Sequence, residues 1–476
     1  MKTSPPSALP WRTRLAYGMG GVLDQWGQHG LKNQANIIFN LVLGISPATV
    51  GTVMALSRVW DALSDPLMGS VTDNARSRFG RRRPFILLGA MLCAFFSTQL
   101  WQIPVGLGAN GEFWWLALTA LLFYTTYTIF SVPYHALAYE IAPAHHQKTE
   151  LLAVRMIFST AASFAGGWIF ALTQSGWLGT PRESARALGW IMGGILVLSG
   201  MIPAFFVKEP RLGVVAHQKK IPLAGALRRT LVSGPFVRLI GAAGLTIFGL
   251  NMINPLGTYV SVYYVFAGDA KAASILSGWM GIVYGVTVLI AAPLLVWFSR
   301  RIGKRDALLW CLALALVGTI SKWWLYTPSH PWLQLVVNAL LAPGMAGLWM
   351  LSESMVADIS DYETLRSGER KEGMFSAVYG FVLKSGLAFG LLCSGWILTG
   401  SGFDVALGPA QSPEALWWLR LAFCGLPSAM LLAAIFLLLR FPLTAEIIAE
   451  ARRARDSRDA SSVPPAAPGD EGRGGV

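Results

Sequence analysis

Two aspartates, Asp61 and Asp65, stand four residues apart inside the otherwise apolar stretch RVWDALSDPLMG, which runs from Arg58 to Gly69. On a helix this spacing puts both carboxylates on one face, one turn apart. Two carboxylates this close either share a proton or hold a cation between them. Oxygen ligands suit Na⁺ and a shared proton suits H⁺, so the pair predicts a site for either cation. The alternative is a charge-balanced structural cluster, because Arg58 lies three residues before Asp61 and can neutralise it.

The stretch YGMGGVLDQWGQHGLKNQANIIFN, residues 17–40, is rich in polar side chains. A lipid-facing helix cannot tolerate so many, so one face of this segment must line a wet cavity. Asp24 and Gln25 are candidate ligands for a solute in that cavity. Trp26 offers a flat apolar surface for a sugar ring or another amphipathic solute, although a single tryptophan more often serves packing.

A further stretch, TTYTIFSVPYHALAYEIAP at 125–143, is largely apolar. It places Thr128, Ser131 and His135 near one another along a helix that Pro133 interrupts. The proline frees backbone carbonyls that a cation or a hydroxyl group can use. We therefore expect a ligand role for these side chains. The alternatives are a simple kink at Pro133 and a hydrogen-bonded core role for His135.

Two basic residues also lie in apolar surroundings. Arg155 stands in LLAVRMIFS, and Lys384 stands in GFVLKSGLAFG, which holds no acidic residue. Because an unpaired buried charge is costly, the partner of Lys384 must come from another helix. Asp61 and Asp65 are the natural candidates.

Charge clusters between the apolar stretches predict salt-bridged gates. One is DNARSRFGRRRP at 73–84, in which an aspartate can pair with an arginine, and the other is ADISDYETLRSGERKEG at 357–373. The predicted gate residues are Asp73, Arg78, Arg82, Asp358, Asp361 and Arg370.

The elements that must position these side chains are membrane-spanning helices. The chain has 476 residues, of which 54% are hydrophobic and only 13% are charged, whereas soluble proteins carry about 25% charged residues. Apolar stretches long enough to cross a bilayer recur along almost the whole length. We predict twelve spans, at 14–44, 48–72, 84–106, 111–142, 147–173, 186–207, 232–266, 271–297, 306–326, 330–358, 374–400 and 415–440.

The net charge of +13 follows the topology of these spans. Lys and Arg concentrate in the loops after the second, sixth and eighth spans, and the loops after the third and eleventh spans have none. The positive-inside rule therefore places both termini in the cytoplasm, and the basic charge does not indicate a nucleic-acid partner. The four cysteines fall in apolar spans without the spacing of a metal site or a disulfide framework.

An internal duplication is indicated by RFGRR after the second span and RIGKR after the eighth span. The predicted fold is an all-α membrane protein of two pseudo-symmetric six-helix bundles. The expected divisions are an N-terminal bundle at 1–207, a cytoplasmic loop at 208–231, a C-terminal bundle at 232–440 and a disordered cytoplasmic tail at 441–476. The alternative is that two ordinary basic loops share a glycine.

Five stretches of the chain, in this order, carry a resemblance to a known family: AYGMGG, VWDALSDPLMG, ARSRFGRRRP, YTIFSVPYHAL and SMVADISDYETLRSGER. With them the chain resembles the glycoside-pentoside-hexuronide:cation symporters, a branch of the major facilitator superfamily, over nearly its whole length. The resemblance implies that Asp61 and Asp65 are cation-coupling carboxylates, with oxygens from Thr128 and Ser64. It also places Arg155 near the sugar site and Lys384 near the cation site.

The chain departs from this family at the sugar site. Gln25 stands where family members place a carboxylate, with Asp24 one position out of register, Ser131 replaces a second carboxylate, and His135 replaces a tryptophan. An anionic hexuronide-like solute and a lysolipid-type amphiphile therefore remain alternatives to a sugar. The expected solute site comprises Asp24, Gln25, Trp26, Arg58, Ser131, His135, Arg155 and Lys384.

We interpret the chain as a symporter that imports a sugar or glycoside by alternating access, coupled to Na⁺ or H⁺. A non-transporting membrane sensor on the same fold is the other class considered. No arrangement typical of an enzyme or of an ATP-driven pump stands out in the sequence. We expect no cofactor besides the coupling ion, contact with membrane lipid, a monomer sufficient for function, and a bacterial inner membrane as the location.

Overall fold

The computed structural model describes residues 9–75, 77, 79–142, 145–209, 230–367, 372–404 and 407–443. Ten helices in this part of the chain are long and apolar enough to cross a bilayer. Two more helical segments, at 11–42 and Pro47–Asn74, have the length but carry the charged and polar residues discussed above. With these two segments the structure is consistent with the twelve spans predicted from the sequence, ten of which are apolar enough to cross a bilayer.

In chain order the helices are α1 (11–42), α2 (Pro47–Asn74), α3 (Arg83–Leu100), α4 (Gly108–Ile141), α5 (145–174, interrupted at Trp168), α6 (Pro181–Phe206), α7 (234–265), α8 (Ala270–Ile302), α9 (Lys304–Leu325), α10 (331–367), α11 (Glu372–Gly400) and α12 (Pro413–Leu439). We call the end of the molecule with the loops between α2 and α3 and between α8 and α9 the basic end. The other end is the opposite end.

Several helices that start at the opposite end begin with a serine or threonine followed by proline. In α6 the Thr180 hydroxyl accepts the Glu183 backbone N–H, and the Glu183 carboxylate accepts the Thr180 backbone N–H at 2.8 Å. This capping box satisfies donors that a helix leaves free, and Pro181 has no N–H to satisfy. Helix α6 therefore starts at Pro181 rather than at the expected residue 186.

The helices form two halves, α1–α6 and α7–α12, and each half is built around its own apolar core. At the basic end the two halves repeat one contact. Arg83 donates from Nε to the Ala204 carbonyl at 2.6 Å, and Arg305 donates from Nε to the Leu438 carbonyl at 3.0 Å. Each guanidinium satisfies carbonyls at the last turn of its half, where no helical donor remains. This repeat supports the internal duplication.

Within the described residues, four π-helical segments interrupt the spans, at Trp26–Gly30 and Asn36–Val42 in α1, Val260–Val265 in α7 and Leu348–Ser352 in α10. A π-helical turn inserts a residue and leaves backbone carbonyls outside the regular ladder, and such turns often occur at functional sites. The segments at Trp26–Gly30 and Leu348–Ser352 belong to different halves and face one cavity between them.

At the opposite end the two halves are in direct contact through small residues. A Cβ atom on Gly395 in α11 would lie 2.6 Å from the Pro47 carbonyl oxygen of α2, so only glycine permits this approach. The hydroxyl of Tyr259 in α7 donates a hydrogen bond to Asn40 in α1. Close backbone approach of this kind is how membrane helices gain packing energy without a hydrophobic driving force. The halves are therefore closed against each other at this end.

We expect Gly395→Leu to open the opposite end, because the added side chain cannot fit against Pro47. The distance between spin labels on two exposed positions, Trp177 in the loop before α6 and Trp332 in the first turn of α10, should then increase by several ångströms. Gly380→Leu, in the same helix but with open space around the Cβ position, is the matched control. An unchanged distance in Gly395→Leu would contradict a glycine-dependent closure.

Candidate functional site

The predicted carboxylate pair lies where α2 faces α4 and α11. Asp61 is buried, and its Oδ1 accepts a hydrogen bond from Thr128 Oγ1 of α4 at 3.2 Å. Its Oδ2 lies 3.5 Å from Arg58 Nη1 on the preceding turn and 3.4 Å from Lys384 Nζ of α11. Asp61 is thus in contact with two cations and one hydroxyl group.

Lys384 bridges the two halves of the molecule. Its ammonium group contacts Asp65 as well as Asp61, so one cation of the C-terminal half lies against both carboxylates of the N-terminal half. This is the partner that the absence of acidic residues around Lys384 predicted. The side chains of Lys384 and Asp65 are each about one-third exposed, whereas Asp61 is almost fully enclosed.

Hydroxyl oxygens complete the surroundings of the pair. Ser64 Oγ lies 3.1 Å from Thr128 Oγ1, and Ser64 also donates to the Asp61 backbone carbonyl at 3.2 Å. Carboxylate and hydroxyl oxygens suit Na⁺, and a carboxylate suits a proton. Among the residues that the structure describes, no group of three or more His, Cys, Asp or Glu side chains could hold a metal ion. The oxygen atoms around the pair are of the kind that can bind an alkali cation or a proton.

Arg58 connects this cluster to α1. Its guanidinium donates to the carbonyl of Gly27 at 3.3 Å and to the carbonyl of Gln28, both in the π-helical turn Trp26–Gly30. The guanidinium also lies over the Tyr124 ring, 4.6 Å from its centre. Arg58 is buried behind the turn and does not line the cavity between the halves. Its position is that of a link between α1 and Asp61.

A second polar cluster surrounds Asp24. The carboxylate accepts a hydrogen bond from Tyr127 at 2.9 Å and lies 3.1 Å from His135 Nε2 and 4.0 Å from Arg155 Nη2. Three residues predicted to contact a solute therefore contact one another. Ser131, one helical turn before His135, is buried on the same stretch of α4.

Tyr127 was missed by the sequence analysis. The signal was present, because Tyr127, Ser131 and His135 follow at intervals of four and share one helix face. Tyr127 also packs on Gly27, which lacks a side chain and lets the ring reach Asp24.

A cavity of about 600 Å³ lies between the two halves. The N-terminal half contributes residues from α1, α5 and α6, and the C-terminal half contributes residues from α7, α8, α10 and α11. Its volume is in the range of small-molecule binding sites. The predicted residues Gln25 and Trp26 are part of its wall.

Trp26 packs mainly within the N-terminal half. Its indole Nε1 donates to Ser97 Oγ at 3.0 Å, and its ring stacks on Trp101 at 6.2 Å. The packing role considered for a single tryptophan therefore accounts for most of its contacts, and only one part of the ring faces the cavity.

The cavity wall also contains polar residues of the C-terminal half that the sequence analysis did not single out. Asn251 of α7 and Asn338 of α10 contribute amides, and Tyr284 of α8 contributes a phenol. Trp349 of α10 contacts His29 of α1 edge to face, with ring centres 6.4 Å apart. Amides within the apolar stretches FGLNMINPLG and LVVNALLAPG were the available signal.

Two of the six predicted gate residues, Arg82 and Asp358, form ion pairs within their own halves. Arg82 Nε donates to Glu140 of α4 at 2.6 Å, and Lys304 Nζ lies 2.6 Å from Asp358 of α10. At the basic end, Arg82 thus links the start of α3 to α4 in the N-terminal bundle, and Asp358 links α10 to α9 in the C-terminal bundle. Arg78 and Arg370 lie outside the described residues, as do the side chains of Asp73 and Asp361.

Comparison with known proteins gives matches over nearly the whole chain. The isoprimeverose transporter of Lactiplantibacillus pentosus is 25% identical over 438 residues, covering 89% of this chain and 88% of that protein. The glucuronide carrier protein homolog of Escherichia coli (strain K12) is 26% identical over 439 residues, covering 92% and 93%. The crystal structure of a D-xylose-proton symporter matches with a TM-score of 0.62 at 13% identity, covering 91% of this chain and 98% of that chain, and shows the same fold.

The family model described as "MFS/sugar transport protein" matches residues 16–445, a range that includes both halves, the carboxylate pair and the central cavity. Its matching region is far more than half of the chain, and the fold is that of a two-bundle transporter. The chain therefore belongs to the MFS/sugar transport protein family.

Proposed function

We propose that this protein is a symporter that carries a sugar or glycoside into the cell together with Na⁺ or H⁺. One observation carries the coupling: Asp61 and Asp65 of one half share the Lys384 ammonium of the other half, next to Thr128. The relatives named as an isoprimeverose transporter and as a glucuronide carrier protein homolog support a sugar or glycoside as the solute. The coupling ion is the only cofactor that the proposal requires.

The charges explain how a cation acts at this site. Arg58 and Lys384 balance the two carboxylates, so Lys384 serves as a built-in cation when no ion is bound. A sodium ion between the carboxylates competes with the ammonium group, and a proton on one carboxylate weakens its attraction. Either event loosens a contact between the two halves. Cation binding is thus linked to the rearrangement of the halves around the cavity.

The sidedness completes the proposal. The basic end faces the cytoplasm by the positive-inside rule, which places both termini there. The closed opposite end then faces outward, and the structure corresponds to a carrier closed to the outside. A bacterial inner membrane is the proposed location, with lipid around the outer helix faces. Because a single chain encloses the cavity and the carboxylate pair, a monomer is sufficient.

Solute-driven ion movement in proteoliposomes tests the proposal. The purified chain is reconstituted, and neutral sugars and glycosides are supplied with and without an inward gradient of Na⁺ or H⁺. We expect at least one solute to accumulate above its outside concentration only when one gradient is present. The same solute should drive uptake of that cation, because coupling is reciprocal. Equal uptake with and without every gradient would refute symport.

A further inference from the structure

Apart from the imidazole of His29, the polar groups on the described part of the cavity wall are uncharged. Gln25 and Gln34 of α1 face Asn251 and Asn338 of the C-terminal half across the cavity. Each amide carries both donors and acceptors, as a sugar hydroxyl does. Gln34 is more than nine-tenths buried, and its Oε1 has no hydrogen-bond partner in the described part of the chain. A buried carbonyl of this kind suits a hydroxyl donor from a ligand.

The described acidic, lysine and arginine side chains of the central region do not line the cavity. Within the described residues, the cavity wall contains no Asp, Glu, Lys or Arg. Asp24 holds the basic groups of His135 and Arg155, and Arg58 and Lys384 are held by the carboxylate pair. A carboxylate or phosphate entering the cavity would lose its hydration, and His29 is the one basic side chain that it would meet on the described part of the wall. The wall therefore disfavours ionised solutes, although one relative is named as a glucuronide carrier homolog.

Most of the remaining wall is apolar and adaptable. Five methionines line it, from both halves: Met156, Met192, Met280, Met345 and Met350. Methionine is flexible and polarisable, and it packs well against aromatic groups of varied shape. Trp349 adds an aromatic surface. A plain sugar is covered with hydroxyls and would leave much of this surface without an apolar partner.

We propose that the cavity binds an uncharged glycoside with an apolar aglycone, such as an aryl or short alkyl group. The glycosyl hydroxyls bond to the amides around Gln34, and the aglycone packs among the methionines and Trp349. This inference rests on the proposed function, because it names the solute class of that site. It also assigns residues of the C-terminal half, Met280 and Met345 among them, to recognition of the aglycone.

Binding to the purified full-length chain in lipid nanodiscs tests this inference without any transport step. The probes are p-nitrophenyl glycosides of several neutral hexoses and pentoses, the matching free sugars, p-nitrophenyl glucuronide and lysophosphatidylcholine, measured by calorimetry. We expect at least one neutral aryl glycoside to bind about tenfold or more tightly than its free sugar, because burial of an apolar ring contributes that much. The same glycoside should also bind at least tenfold more tightly than the glucuronide.

Variants locate the aglycone site. Met280→Ala combined with Met345→Ala should weaken aryl glycoside binding severalfold and leave binding of the free sugar unchanged. Met91→Ala is the control, because Met91 is half exposed on the outer face of α3. A thermal melt of each variant confirms that it is folded.

Four results would overturn the inference: equal or tighter binding of the glucuronide, equal binding of the free sugar, preference for lysophosphatidylcholine, or no binding by any probe. Failure of this inference can be distinguished from failure of the proposed function. A neutral aryl glycoside that binds but moves without a cation would refute symport alone. Coupled transport restricted to free sugars or glucuronides would refute the inference alone.

Discussion

Asp61→Asn should abolish gradient-driven accumulation of the solute. Asparagine keeps the shape of the side chain but removes the charge that Na⁺ or H⁺ binds. The change also leaves Arg58 and Lys384 with one carboxylate fewer in an enclosed site. Removing one partner of a buried ion pair costs about 3–5 kcal/mol, so the yield of folded protein should fall as well. The accumulation ratio does not depend on the amount of protein and is the quantity to measure.

Asp65→Asn separates coupling from stability. The Asp65 side chain is about one-third exposed, so its neutralisation leaves a smaller uncompensated charge in the interior. We expect the same loss of accumulation with a smaller loss of folded protein. Exchange of solute at equal concentrations should persist in both variants, because it needs no cation gradient.

Asp306→Asn is the matched control for both substitutions, since Asp306 is an exposed carboxylate at the basic end. It should accumulate solute as the unmodified chain does. If Asp61→Asn and Asp65→Asn also accumulate solute normally, the carboxylate pair is structural and the coupling mechanism proposed above is wrong.

The sequence predicts the helices and the proximity of Asp61, Asp65 and Lys384 well because each rests on a local property. The positions of the spans follow from the lengths of the apolar stretches. The two polar spans, α1 and α2, are the ones in which the sequence carries charged residues. Asp61 and Asp65 share a helix face by their spacing alone. The partner of Lys384 follows from the cost of leaving it unpaired. Each of these inferences needs only one helix and elementary electrostatics.

The solute site could not be derived in the same way. Whether Asn251, Asn338 and Tyr284 face the cavity depends on the rotation of their helices, and near-uniformly apolar helices carry no periodic pattern that fixes it. The pairing of Asp24 with Arg155 and His135 depends on how α1, α4 and α5 pack. In the sequence the basic side chains of His135 and Arg155 suit an anionic solute, and in the structure both lie against Asp24.

The basic motifs show the same limit on a smaller scale. RFGRR and RIGKR share a glycine in the sequence. In the structure Arg83 and Arg305 make the matching contacts, and Arg82 and Lys304 make the matching ion pairs. The equivalent basic residues thus follow the glycine by different distances in the two halves. Two basic residues are equivalent in three dimensions when they hold the same position relative to the start of the following helix. The glycine shared by the two sequence motifs does not give the start of that helix to the exact residue.

Arg58 occupies the connection between the two sites. On one side it contacts Asp61, and on the other it donates to the carbonyls of Gly27 and Gln28. Those carbonyls lie in the π-helical turn whose side chains Trp26 and His29 face the cavity. In the proposed mechanism, a cation that changes the charge around Asp61 would therefore change the contact of Arg58 with the cavity wall.

We expect Arg58→Met to uncouple the two ligands. The affinity of the solute should then be nearly the same with and without the cation, whereas coupled sites typically differ about 5- to 150-fold. Arg58→Lys should restore only part of the effect, because one ammonium group cannot reproduce the fork of a guanidinium toward two adjacent carbonyls and a carboxylate. The measurement is the solute Kd at saturating Na⁺ or low pH, divided by the Kd without the cation.

Arg301→Met is the control for Arg58→Met, because Arg301 is exposed at the end of α8, where its guanidinium lies over Trp297. Asp61 and Asp65 remain in place in Arg58→Met, so cation binding itself should persist and only its effect on the solute should disappear. A carrier that loses cation binding altogether would show that Arg58 shapes the carboxylate pair. One that keeps the full cation dependence of the solute Kd would show that coupling passes through Lys384 and α11, which also contributes Leu387 to the cavity wall.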